Sequence, residues 1–219
     1  MKRPNIVFIM CDDHTTQAIS AYGSRINKTP NIDRIAAAGA RMDSAFCTNS
    51  ICAPSRAAIL TGTYNHINEV RTIWEDLDNS RPTFIGDLKQ AGYKTALFGK
   101  WHLGHGPESD PKHFDRWEVL PGQGDYNDPK FITPEGEVIH KGYVTTVTTD
   151  LALNWLETLD KEDSFCLLVH HKAPHLPMTP DQKHKDLYSD IDIPEPDSLH
   201  EDLSPRPEGV KNAKMNIYK

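Results

Sequence analysis

The apolar positions of this chain fall into a few short runs separated by long polar stretches. The first run, Ile6-Val7-Phe8-Ile9-Met10-Cys11, is unbroken and rich in branched residues. That is the pattern of a parallel strand buried on both faces, and it stops abruptly at Asp12-Asp13-His14. Thr29-Pro30-Asn31-Ile32-Asp33 supplies the N-cap, first-turn proline and early acid of a helix, with Gly39 placed as its C-cap. A brief helix begins beside Cys52 and continues through Ala57-Ala58-Ile59-Leu60 to Thr61-Gly62; its N-terminus is a natural place for an anion. Residues 83–91 carry apolar positions at helical spacing and stop at Gly92, after which residues 93–98 read as a strand running into Gly99-Lys100-Trp101-His102. Residues 150–159 predict an amphipathic helix with Leu151, Trp155 and Leu159 on one stripe. Residues 165–169 give another buried strand, ending in His170-His171-Lys172-Ala173-Pro174-His175.

Two stretches resist this pattern. Residues 104–142 are crowded with Gly, Pro, Asp and His, which predicts long irregular connections rather than packed layers. After His175 the periodicity dissolves among polar residues and Pro177, Pro180, Pro194, Pro196, Pro205 and Pro207. The expected organisation is an α/β layer over residues 1–175 and an extended, proline-rich excursion of the same domain over 176–219. The last segment brings no strong closing strand or helix, so the chain is expected to be the front part of a longer protein. Its 219 residues suit one large domain at about 100–200 residues per domain.

Composition narrows the class. With 37% hydrophobic and 25% charged residues, disordered, collagenous and repeat architectures are excluded. Lys and Arg number 24 against 31 Asp and Glu, for a net charge of −7, the wrong sign for a nucleic-acid partner. An anionic ligand must therefore be held by a local cluster. The cysteines at 11, 47, 52 and 166 are too scattered for a disulfide scaffold, and Cys47 and Cys52 miss the C-x2-C zinc spacing. Cys11, Cys47 and Cys166 read as small buried hydrophobes. The run 6–11 is too short for a signal-peptide core or a membrane span, so no span is expected. The protein is cytoplasmic if it has no leader and exported if a leader has been trimmed.

Chemistry collects where the strands end. Ionisable knots at 12–14, 100–102 and 170–175 each follow an apolar run, and open α/β sheets build sites at the carboxyl ends of their strands. Asp12 and Asp13 are adjacent hard oxygen donors suited to calcium or magnesium, although alone they serve equally as a loop cap and a solvated acid. Lys100 and His102 point to one side if the strand continues through them; a lone lysine or histidine after a strand is more often solvent-exposed. Cys52 at a helix N-terminus, with Arg56 one turn on, has the setting of an activated nucleophile. Its C-x3-R spacing is not that of the cysteine-phosphatase phosphate loop.

These residues carry a resemblance. The segment Cys52-Ala53-Pro54-Ser55-Arg56-Ala57-Ala58-Ile59-Leu60-Thr61-Gly62 resembles the signature of type I sulfatases, in which the cysteine is converted to formylglycine. Arg3-Pro4-Asn5-Ile6-Val7-Phe8-Ile9-Met10-Cys11-Asp12-Asp13 is similar to that family's opening strand. Gly99-Lys100-Trp101-His102-Leu103-Gly104 resembles its second signature, and Ala173-Pro174-His175 completes the family order.

The resemblance implies an alkaline-phosphatase-like α/β fold, a central mixed, mostly parallel sheet flanked by helices, with residues 1–175 as the N-terminal part of the catalytic domain. It implies that Asp12, Asp13 and the formylglycine from Cys52 bind one calcium ion, and that Arg56, Lys100, His102 and His175 surround the sulfate. His175 would protonate the departing sugar oxygen and His102 would lie beside the formylglycine hydroxyl. A formylglycine-generating maturation enzyme is an implied partner, and a periplasmic or secreted setting the implied compartment. Gln123-Gly124-Asp125-Tyr126, Gly142-Tyr143-Val144-Thr145 and residues 170–175 resemble sulfatases acting on N-acetylglucosamine 6-sulfate in heparan or mucin glycans. The implied activity is hydrolysis of the sulfuric ester of a sulfated sugar.

One departure matters. Family members are longer, and their later part adds two metal ligands and a lysine that this chain does not contain. Two aspartates and one formylglycine under-fill a calcium shell of about six to eight oxygens. A phosphonate or phosphate ester hydrolase on the same scaffold, and a catalytically incomplete glycan-binding chain, are the competing expectations.

Overall fold

A computed structural model describes residues 3–213, and six strands within them pair into one sheet. These are β1 (Ile6–Met10), β2 (Lys94–Lys100), β3 (Arg116–Leu120), β4 (Lys130–Thr133), β5 (Gly136–Ile139) and β6 (Phe165–His170), in spatial order β1-β6-β2-β3-β4-β5. β1, β6, β2 and β3 run parallel, whereas β4 pairs antiparallel with both β3 and β5. Around them lie α1 (Pro30–Ala38), α2 (Cys52–Thr61), α3 (Asn65–Asn68), α4 (Phe84–Gln90) and α5 (Val144–Glu157). This is the mixed, mostly parallel sheet between helices that the resemblance implies.

The period of two along the strands divides the core. On β2, Leu97 faces one cluster while Ala96 and Phe98 face another. β6 alternates in the same way, with Cys166 and Leu168 against Leu167 and Val169. The first cluster takes Ala53, Ala57 and Leu60 from α2 and Ile85 from α4; the second takes Leu151, Ala152 and Trp155 from α5. Each fully buried Leu or Phe side chain contributes roughly 1.5–3 kcal/mol through removal from water, so both helical layers are bound to the central strands. Gly99 has φ +104°, and a Cβ there would collide with the His170 carbonyl of the neighbouring strand. That absence of a side chain lets β2 and β6 close up just where both strands end.

Several expectations are corrected. β1 is not buried on both faces: Ile6 and Phe8 pack on the first cluster, but Val7 and Ile9 are 52% and 57% exposed. Its place at the sheet border explains this, because α5 covers β2 and β6 but leaves the outer part of β1 bare. Residues 104–142 contain β3, β4 and β5, with Trp117, Val119, Leu120 and Phe131 buried; short strands between glycine- and proline-rich turns hide their periodicity. α5 starts six residues earlier than expected, at Val144. Its β-branched VTTVTT opening favours a strand by propensity, yet Val144, Val147, Thr148 and Ala152 bury one helical face. β2 continues to Lys100 and stops there. His102 then has φ +54°, so the strand alternation invoked for Lys100 and His102 does not reach the histidine. Cys166 is buried, but Cys11 and Cys47 are exposed, which overturns their reading as buried hydrophobes; Cys11 follows the border strand and Cys47 sits in an irregular segment before α2.

Residues Pro180–Lys219 form a unit of their own. Its described part, 180–213, consists of turns, a 3-10 turn at Asp197–His200 and the short helix α6 (Glu208–Lys211), with no buried residue. Among the described residues no helix is long and apolar enough to cross a membrane.

Candidate active site

The carboxyl ends of β1, β2 and β6 and the N-terminus of α2 meet at one edge of the sheet. Backbone bonds tie the ends together: the His171 amide donates to the Met10 carbonyl at 2.8 Å, and the Asp12 amide to the Ala173 carbonyl at 3.2 Å. A cavity of about 500 Å³ opens there, with Asp12, Asp13, His14, Cys47, Cys52 and Arg56 in its wall. Cys52 is the first residue of α2, where unpaired backbone amides point outward and favour an anion.

Asp12 is the electrostatic centre. It is 5% exposed and serves two buried cations: Lys100 Nζ donates to its Oδ2, and Arg56 Nη2 lies 3.7 Å from its Oδ1. Lys100 is wholly buried, contrary to the ordinary expectation for a lysine after a strand, and also donates to Gln123 Oε1. Arg56 is 3% exposed, and its Nη1 donates to the Lys100 carbonyl at 2.8 Å. Burial draws the guanidinium below its usual value, with Asp12 first among the charges that oppose this; an arginine nevertheless stays protonated in a protein. Its Nε is buried and finds no hydrogen-bond partner among the described residues.

The histidines differ in kind. His102 is held down to about 4, first by burial and then by the charges of Lys100 and Arg56, so it is neutral at pH 7. Its Nδ1 is buried and finds no hydrogen-bond partner among the described residues. His170 is also neutral: burial drives it well below the usual range, and its Nδ1 packs 3.2 Å from the Lys100 carbonyl and 3.4 Å from Arg56 Nη1. His175 Nδ1 donates to the Leu176 carbonyl at 2.8 Å, leaving Nε2, 3.8 Å from Asp13 Oδ2, to exchange a proton. Asp13 and His102 both adopt left-handed backbone, with φ of +60° and +54°, a strained conformation of the kind that clusters at active sites.

Asp12, Asp13, Cys52 and Arg56 therefore share the cavity wall. His175 reaches it through Asp13, and Lys100 lies behind Asp12. His102 is close enough to Lys100, Arg56, Asp12 and His175 to feel their charges. Sequence reasoning gave no individual role to Gln123, Tyr126, His170 or Lys172. Gln123 holds Lys100, and the Tyr126 hydroxyl donates to the His175 carbonyl. Burial pushes that phenol up to about 12, so it remains a donor. The signal for these residues was their nearness to the strand ends.

The sequence model of the Sulfatase family matches residues 4–206. The chain belongs to the sulfatase family. An N-acetylglucosamine-6-O-sulfatase from Bacteroides thetaiotaomicron is 43% identical to this sulfatase chain over 219 residues, covering 99% of it and 38% of the relative. An ulvan-active sulfatase from Formosa agariphila is 32% identical, covering 99% and 43%. A solved structure of a protein in complex with its substrate D-glucosamine-2-N,6-O-disulfate superposes with a TM-score of 0.91 at 43% identity, covering 96% of this chain and 42% of that one. This sulfatase chain thus has the alkaline-phosphatase-like fold and spans about two-fifths of the length of these relatives.

Proposed function

We propose that this chain carries the sulfate-ester-hydrolysing site of a glycan sulfatase whose substrate is a sulfated amino sugar of the N-acetylglucosamine 6-sulfate class. The observation that carries this reading is the single cavity that brings Cys52, at the head of α2, together with Asp12, Asp13 and Arg56. The substrate class is supported by what the relatives act on.

Formylglycine at position 52 would supply, as its hydrate, a hydroxyl nucleophile in place of the thiol. Calcium is the ion whose chemistry suits the donors. Asp12, Asp13 and an oxygen at position 52 are hard ligands, as calcium requires, but they fall short of its usual number, and no cluster of three or more metal-type side chains forms among the described residues. Those three residues are the ones that would hold the ion, which supplies polarisation of a sulfate oxygen.

The protein's own groups account for the rest. Arg56, fixed by the Lys100 carbonyl, presents a permanent positive charge at the cavity wall, and Lys100 adds a second behind Asp12. Neutral His102 has an acceptor nitrogen free of a proton at pH 7, which suits a place as hydrogen-bond acceptor beside the attacking hydroxyl. His175 transfers a proton through Nε2, because Nδ1 is committed to the Leu176 carbonyl; protonation of the leaving sugar oxygen is worth roughly 10²–10⁴-fold.

Peptide mass spectrometry of the protein from its natural source tests the nucleophile. Formylglycine at 52 with an unmodified Cys47 in the same peptide is the expected result, and an ordinary thiol at 52 in fully processed protein refutes it. Paired rates on matched sulfate and phosphate esters of one sugar test the reaction: faster phosphate hydrolysis replaces the sulfatase reading with a phosphoesterase one.

A further inference from the structure

Between residues 124–127 and the stretch from Lys172 to Thr179 lies another cavity, of about 330 Å³, lined by Asp125, Tyr126, Asn127, Lys172 and Thr179 among others. Its volume is at the lower end of small-molecule sites, on the order of 300–1,000 Å³. We propose that it is a sugar-recognising subsite that takes the hydroxyl-bearing pyranose ring of the substrate; this deepens the function proposed above and rests on it.

Lys172 supplies the first reason. It is 2% exposed, yet no carboxylate among the described residues reaches ion-pair distance; its Nζ has one carbonyl contact, to Leu176 at 3.3 Å, and sits 4.7 Å from the centre of the Tyr126 ring. An ammonium carries three donors, and a buried charge is costly unless its donors are used. Lys172 therefore has unused donor capacity in the wall of a cavity. Asp125 supplies the second reason. It is an exposed carboxylate lining the same space and near enough to oppose the lowering of Lys172 by burial. Asn127 adds an amide with both donor and acceptor. A cation, a carboxylate and an amide around one cavity match vicinal hydroxyls, each of which donates and accepts. They do not match a second sulfate, which Asp125 repels.

The position fits one substrate. The Tyr126 hydroxyl holds the His175 carbonyl, and Gln123, three residues earlier, accepts from Lys100. Tyr126 thus lines the subsite and holds a residue of the ester-hydrolysing site at once, and Gln123 stands one residue before the segment 124–127 that forms the subsite wall.

The test is equilibrium binding of glucosamine 6-sulfate, glucosamine and inorganic sulfate to the 219-residue chain, compared with Asp125→Asn and Lys172→Met. We expect glucosamine 6-sulfate to bind at least about tenfold more tightly than sulfate. Asp125→Asn, an exposed and nearly isosteric change, should weaken both sugars by about tenfold, as for one lost hydrogen bond to a charged group, and leave sulfate unchanged. Lys172→Met should do the same where circular dichroism shows it folded. Equal sugar affinity in Asp125→Asn and wild type, or no advantage of sugar over sulfate, overturns the subsite. Loss of sulfate binding alone, with glucosamine still sensitive to Asp125→Asn, overturns the sulfate site and leaves the subsite standing.

Discussion

Asp12→Ala removes the carboxylate that two buried cations share, and its cost follows from the charge count. With Asp12 present, Lys100 and Arg56 face one negative charge at hydrogen-bonding distance and at 3.7 Å. Without it, two cations of 0% and 3% exposure are left together in a weakly screened interior. Removing one partner of a buried pair typically costs about 3–5 kcal/mol, a large share of the roughly 5–15 kcal/mol that holds a domain folded. Lys100→Met removes a cation instead, keeps most of the side-chain volume and leaves Asp12 balanced by Arg56, so its cost should be nearer 1–2 kcal/mol, about the centre of the mutational range. Urea unfolding followed by the fluorescence of buried Trp101 and Trp117, with EDTA present, measures both. With a slope of about 2–3 kcal/mol per molar, the Asp12→Ala midpoint should fall by roughly 1–2 M. A loss below about 1 kcal/mol, or a Lys100→Met loss as large as that of Asp12→Ala, would refute the shared-charge account.

Other outcomes follow from single features. His102, at about 4 in the folded chain, takes a proton near pH 6.5 when unfolded. Between those values only the unfolded chain binds it, so stability falls as pH drops from 6.5 toward 4; a His102 NMR titration midpoint above 6 is incompatible with this. Arg56→Ala in the matured protein should lower turnover by roughly 10²–10³, the scale for one preorganised charge donor, and near-normal turnover removes Arg56 from the site. Gly99→Ala drives a Cβ into the His170 carbonyl at an unfavourable φ, and should lower the urea midpoint more than Gly106→Ala, where nothing lies within 4 Å of the new atom. Equal midpoints would mean that β2 and β6 can separate without penalty.

What was legible in the sequence was local. α2 begins at Cys52 and β6 covers the predicted run because caps, breakers and unbroken apolar stretches act on their own neighbours. The candidate residues at the ends of β1, β2 and β6 were found because the knots of charge interrupt those runs. Border and centre strands looked alike, since Ile6–Met10 is as apolar as a strand with two neighbours; only tertiary position separates them. α5 began early because burial of Val144 and Val147 overrode the strand preference of its threonines. Gln123 and Lys172 escaped notice for a related reason: no period marks a loop side chain whose partner, the end of β2 for Gln123 and the Tyr126 ring for Lys172, is distant in sequence.

The ion pair at the head of the sheet has a mechanical side as well. Asp12 follows β1, Lys100 closes β2, and β6 lies between those strands, so the bond from Lys100 to Asp12 spans the end of the intervening strand. Among the described residues β1 has a paired neighbour on one side only, which makes it the member of the parallel set most prone to fray. The bond acts as a clasp that fastens this outermost strand to the middle of the sheet at the end where it carries its carboxylates. Neutralising Asp12 would therefore free the border strand as well as alter the local field, and its amides would exchange with solvent sooner than those of β2.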